Sequence, residues 1–563
     1  MPKTQVLAAD IPSPDSSQVS AVQLEHLHTY FLFPFAIDKS SIQQANPDYW
    51  KGGPDWITGL DEWIASMTAR SRPPLGGWWR SAYDHFDLDS PAYGDMVFFH
   101  PFVRRVFFDT RHIGSARNVR QPLMRCYAMS LDPTRPVTWT IEDSRSRVTH
   151  ADVTDLRMFL FANGIGILSI GVERRDIEFS EALYLNEMMR KVFPSSGRQR
   201  REGRVPARST LTLTRGGREE LIAEETFLTG DLTEFHPPLS KLVRSLLYFL
   251  NYDRKEYEQV LDERMIVYSY GAIASPEVPP EGPEAKLSEI LLSQFLYVDR
   301  NSKSLRYDPT FTAQKLRKDV YRRWAHEGTL YGFTRYSNVT LTRGICDRGE
   351  HLAVEGALIH RMFDTRYYLM AVVALFYRAA LLNLAERVAL VSEELYRSQE
   401  RGAITRDDIY AATRLRADFL HFSNYWYFDE LANKDEEIEH FTMQCKAYRL
   451  EQMRSHIEEE VEKLNSFLHE HNQVRSTEAV NRLAMLSMIL GGGAVMTGYF
   501  GMNFGREFSD AFFQPRFGAD LAHRFSITAV SAFSLFSILL GVYVIVANWR
   551  DYRDTFRMRR DRG

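Results

Sequence analysis

The sequence predicts an α/β domain followed by a long helical stalk and two membrane-spanning helices. Three observations carry that reading. Strand-like and amphipathic helical segments alternate over residues 95–345. From about His351 proline and glycine become scarce. Two uncharged apolar runs then follow, Leu483 to Phe500 and Phe525 to Trp549.

Length and composition set the outer limits. The chain of 563 residues has room for roughly three domains. Mean hydropathy is -0.32 and 25% of residues are charged. The net charge of -4 gives no electrostatic reason to expect a nucleic-acid partner. Cys126, Cys346 and Cys445 lie far apart and form no C-x-x-C pair. Neither a disulfide framework nor a zinc knuckle is indicated, which fits a reducing compartment. The opening "MPKTQVLAADIPSPDSSQVS" has no apolar stretch after its lysine and is not read as a signal peptide. Residues 1–94 are expected to be a partly disordered N-terminal extension, flexible at its Ser-, Pro- and Asp-rich start.

Residues 95–345 form the expected cytoplasmic α/β domain. "MVFFHPFVRRVFFD" and "RCYAMSLD" read as strands. "LRMFLFANGIGILSIGVE" reads as two strands around the turn signal Asn163-Gly164. Gly164 and Gly166 suggest a nucleotide-binding loop, but position 169 is Ser, so G-x-G-x-x-G is not completed and the hairpin is preferred. "EALYLNEMMRKVF" and "PLSKLVRSLLYFL" read as amphipathic helices. "ERMIVYSYGAIA" and "GTLYGFTRYSNVTLT" return to the Tyr, Val and Thr of strands.

Residues 346–478 are expected to be a stalk of long helices. One helix is predicted over about 352–399 and another over 405–432. A third begins near Asn433, with Ile438, Phe441, Cys445 and Tyr448 at steps of three and four. Ile457, Val461, Leu464 and Leu468 continue this seam, which asks for a partner helix. No breaker precedes the first apolar run, so a single helix of about 65 residues, ~100 Å long, is expected. The acidic "EEEVEK" at 458–463 reads as a solvated face, with cation binding as the alternative. His469 and His471 stand two apart, on different sides of a helix, and make a poor zinc pair.

Residues 479–503 are expected to be the first membrane helix and 525–549 the second, joined by an external loop over 504–524. The uncharged runs are 18 and 25 residues long. The first is near the lower limit for a span and the second is ample. A buried core helix is the competing explanation. "YYLMAVVALFY", Tyr367 to Tyr377, is too short for a span and reads as a buried helix of the body. The tail 550–563 holds six arginines, whereas the three of the loop are balanced by Glu507, Asp510 and Asp520. That bias puts both termini in the cytoplasm of a multi-pass protein of the cell (inner) membrane.

One stripe of the first span reads Val480, Leu483, Ser487, Gly491, Ala494 and Gly498. Close helix packing explains small residues at such spacing. A pore wall in a symmetric oligomer explains them too, wide at the small residues and closed by dewetting at Leu483 and Val480. With no charge in the span, no proton relay or tight ion cage is expected.

The span ends in Gly501-Met502-Asn503, preceded by Gly498 and the pair Tyr499-Phe500. With this motif, a short loop, a second span, a basic tail and a long helix feeding the first span, the chain resembles the CorA family of divalent-cation channels. The resemblance covers about residues 350–563, and "FLFANGIGILSI" is similar, more weakly, to a strand pair of the family's cytoplasmic domain. It implies a homopentamer around one pore lined by the first span, with no permanently bound cofactor. It implies a ring of Asn503 amides touching hydrated Mg²⁺ through its water shell, because Mg²⁺ dehydrates reluctantly. Glu507 and Asp510 would gather cations at the outer mouth. Mg²⁺ would be the transported ion and a regulatory one, with the lipid bilayer and divalent cations as partners. The chain departs from the family in Gly491-Gly492-Gly493, in the loosely matched "FGREFSD", and in its longer cytoplasmic part. A ligand-gated effector pore and a Zn²⁺ transporter are therefore the alternatives. A membrane-anchored enzyme is disfavoured, since HExxH, GxSxG and P-loop motifs are absent from the sequence.

Overall fold

A central strand near the start of the chain organises the fold. The computed structural model describes residues 22–51, 56–81, 94, 97–108, 123–193, 203–227, 239–274, 289–299, 307–343, 358–401 and 404–501, with isolated positions between 507 and 543. Two compact units result: Met1–Ala403 with Arg414–Glu460, and Ile404–Thr413 with Val461–Gly563.

Strand β1, Gln23–Ile37, lies inside a 13-stranded sheet. The other strands are β2 (Trp79–Arg80), β3 (Met124–Ala128), β4 (Val137–Glu142), β5 (Val148–Phe161), β6 (Ile165–Glu178), β7 (Arg208–Arg215), β8 (Arg218–Glu225), β9 (Tyr257–Gln259), β10 (Ile266–Ile273), β11 (Val320–Tyr321), β12 (Leu330–Phe333) and β13 (Ser337–Arg343). The main path runs β11-β12-β13-β10-β1-β6-β5-β4-β7-β8. Pairing is antiparallel throughout the described strands, except that β10 runs parallel to β13.

The expected N-terminal extension over 1–94 is thus corrected. Residues from Gln23 onward belong to the sheet domain, which does not begin at 95. The cause is physical. β1 is covered on both faces, so its second half, from Tyr30 to Ile37, reads as a continuous apolar run rather than a clean alternation. Residues 1–21 lie outside the described residues.

The β5–β6 hairpin forms as predicted. Gly164 takes φ of +98° at the turn, and the Asn163 side chain accepts a hydrogen bond from the Ile165 amide at 3.2 Å. The segment 97–108 differs from expectation: Pro101–Phe107 is a helix. Proline at its first position has the fixed φ that starts a helix, and Val103, Val106 and Phe107 are the residues it buries.

Helices cover both faces of the sheet. Helix α1, Phe179–Met189, packs against one face of β1 and β6. There Thr29 donates to Asn186 at 2.9 Å and shares a 2.7 Å bond with Ser269, all buried. Leu27, Phe31, Leu168, Ile170 and Leu183 belong to the same core. Helix α2, Tyr368–Glu400, packs on the opposite side of the sheet, against β1 and β6. It continues from a helical start at Leu358 through a π-helical turn at Phe363–Tyr367. By length and composition Leu358–Glu400 is the one helix among the described residues that qualifies to cross a membrane. Its most apolar stretch is 78% buried inside the protein, as the reading of Tyr367 to Tyr377 anticipated.

Gly171 makes room for this arrangement. A Cβ there would meet Tyr30 Cε1 at 2.8 Å and Asp155 Cβ at 3.0 Å. Gly171→Val is expected to destabilise the fold by about 1–3 kcal/mol, the usual cost of overpacking. The denaturation midpoint of the full chain measures this, and an unchanged midpoint would refute the close approach.

The expected single helix from Asn433 is two helices, α3 (Asp435–Tyr448) and α4 (Leu450–Gly501). Arg449 between them is left-handed, at φ of +59°. The helix expected over 405–432 ends earlier, in a π-helical turn at Phe422–Trp426. Of the seam, Phe441, Tyr448, Ile457, Val461 and Leu468 are buried within the single chain. Glu458, Glu459 and Glu462 are exposed, as a solvated face requires.

Candidate functional site

The pore-lining residues expected from the sequence share one exposed face of α4. Val480, Leu483, Ser487, Gly491, Ala494 and Gly498 are all exposed, while Leu486 is buried. A Cβ at Gly491 or Gly498 would meet nothing within 4 Å. The helix is continuous through Gly491-Gly492-Gly493 despite the roughly 1 kcal/mol that each glycine costs relative to alanine. Gly501 is its last residue. Met502 and Asn503 lie outside the described residues, as does the tail 550–563. Glu507 and Asp510 are exposed and helical, as are the other described positions of 504–524, where a loop is expected. The second span is described only at isolated helical positions.

A second constellation went unread in the sequence. His26 and His28 of β1 are two residues apart on a strand and so face the same way. Glu173 of β6 pairs across from His28 in register. His360, in the helical segment just before the π-turn, completes the group. Ligand atoms of His26, Glu173 and His360 all lie within 4.8 Å of one another, a convergence unique among the described residues. His26 Nε2 is 3.5 Å from Glu173 Oε2, and His28 Nδ1 is 3.5 Å from Glu173 Oε1. His28 Nδ1 is 2.9 Å from His360 Nε2. The ring of Tyr270 stands edge-on to His360, with centroids 5.1 Å apart.

Burial sets the charge states. It pushes the His28 imidazole down to about 3, and it lowers His360 too. Glu173 is held down at about 2, chiefly by the His26 side chain. The group therefore presents neutral rings at His28 and His360 beside an ionised carboxylate at neutral pH.

A polar network continues from it along β1. Tyr30 donates to Asp364, and its hydroxyl is 3.4 Å from Asp155. Arg157 Nε pairs with Asp155 at 2.7 Å, and the guanidinium sits 5.2 Å from the Tyr368 ring centroid. Tyr368 donates to Ser169 at 2.7 Å, and Tyr268 donates to the Phe363 carbonyl at 2.8 Å. These bonds tie the π-turn to β1 and β10, and the start of α2 to β6.

Comparison of the chain with family models, with curated proteins and with solved structures finds no match.

His469 and His471 are exposed and half-buried respectively, and no third ligand joins them among the described residues. The sequence signal for the missed group is the "EHLHTY" alternation at 25–30. It means a shared strand face only once Gln23–Ile37 is recognised as a strand of the sheet.

Proposed function

We propose that the chain is a CorA-like channel for divalent cations, with Mg²⁺ as the cargo, assembled as a homopentamer in the cell (inner) membrane. The observation that carries the reading is the exposed stripe Val480, Leu483, Ser487, Gly491, Ala494 and Gly498. A face of this kind has no charged side chain to hold it in water, and it lies beside Leu486, which the chain itself buries. Copies of the same face around an axis would cover it and leave a narrow passage. Gly501-Met502-Asn503 at the end of that helix supplies amide oxygens suited to a hydrated ion. Glu507 and Asp510, both exposed, add negative charge nearby. In this reading both termini are cytoplasmic, and the sheet domain controls the pore.

Native mass measurement in detergent is expected to give about five chains, the number the family resemblance implies. Liposomes holding the protein should pass Mg²⁺. A stable monomer or dimer, or liposomes impermeable to divalent ions under every gating condition, would refute the channel.

A further inference from the structure

We propose that His26, Glu173 and His360 form a binding site for a zinc-class divalent ion in the sheet domain, with His28 as a positioning residue. Donor chemistry is the first argument. Two imidazoles and one carboxylate suit Zn²⁺, whereas Mg²⁺ takes oxygen ligands and keeps its waters. The site is thus chemically distinct from an amide ring that handles a hydrated ion.

Spacing is the second argument. Zinc binds nitrogen and carboxylate oxygen at roughly 2.0–2.2 Å in tetrahedral geometry, which separates its ligand atoms by about 3.4 Å. The 3.5 Å between His26 Nε2 and Glu173 Oε2 matches that spacing. The remaining ligand atoms, within 4.8 Å, need only a small rotation of side chains to close on an ion. Glu173 and His360 are half-buried, so an ion has a way in, while His26 is buried. A metal ligand needs an oriented ring, and outer partners commonly provide that orientation. His28, 2.9 Å from His360, is placed to do so.

Position gives the site a consequence. His26 and Glu173 sit on adjacent strands, and His360 sits three residues before the π-turn at Phe363–Tyr367. Such turns interrupt regular helical bonding and recur at functional sites. An ion there would pin the start of Leu358–Glu400 to β1 and β6. The inference goes beyond the channel reading and does not depend on it, since zinc binding is measured without ion flux.

The test uses the full chain in detergent, stripped with chelator and titrated with Zn²⁺ alone. Bound metal per chain is read by elemental analysis and affinity by calorimetry. About one zinc per chain is expected at this site, retained in excess Mg²⁺. His26→Ala and His360→Ala should each lower that affinity by at least about 100-fold, and His28→Asn by roughly 10–100-fold. The double change His469→Ala, His471→Ala should leave it intact. Circular dichroism in chelator confirms that each variant is folded, and Glu173→Gln, nearly isosteric, serves where an alanine variant is not. Full zinc binding by folded His26→Ala, His360→Ala or Glu173→Gln would overturn the site, as would displacement of zinc by Mg²⁺.

Discussion

Asn503→Ala should abolish selective divalent flux while leaving the assembly intact. The change removes an amide oxygen from each copy and takes nothing from the described core. A ring of neutral amides selects an ion by touching its water shell, so the loss falls on recognition rather than packing. Selective Mg²⁺ flux into liposomes, normalised to assembled protein, is expected to drop at least roughly tenfold, equivalent to ~1.4 kcal/mol on the barrier. Native mass should stay at the wild-type value. Unchanged Mg²⁺ flux in the alanine variant would reduce Asn503 to a turn residue.

The sheet domain is legible where local turn chemistry marks a pairing. β5 and β6 flank Asn163-Gly164, and that turn signal settles their pairing. β10 and β13 carry strand composition and form where expected. β1 is hard to read because burial on both faces erases alternation from Tyr30 to Ile37, and its partners lie far along the chain. The Arg449 break is invisible in the sequence because an arginine in left-handed conformation carries no sequence mark, unlike glycine or proline. The helix Pro101–Phe107 reads as a strand in the sequence because its aromatic and β-branched residues outweigh the proline start signal. The metal-ligand group was illegible for a different reason. It draws on β1, β6 and the helix start at 360, so only the folded sheet brings its members together. By contrast the α4 stripe could be read from spacing alone, because one helix carries all of it.

Leu483→Asn is expected to raise basal flux about tenfold or more, which asks for ~1.4 kcal/mol off the barrier. Leu483 and Val480 are three residues apart and so share a face of α4. They are 52% and 60% exposed in the single chain, whereas Leu486 is 8% exposed. Repeated around an axis, Leu483 and Val480 would form two apolar rings, and a narrow apolar ring excludes water. An amide in place of leucine gives water a partner at the constriction and so wets it. Leu486→Ala tests a position one turn further on, at the flank of the exposed stripe and buried by the chain itself. It removes buried volume, at a cost of about 2–5 kcal/mol in stability, with no reason to wet an exposed face. Flux is therefore compared per assembled protein, and thermal unfolding is measured beside it. The expected pattern is a gain of flux at 483 with little loss of stability, and the reverse at 486. Equal flux effects at both positions, or no gain at 483, would remove this face of α4 from the pore.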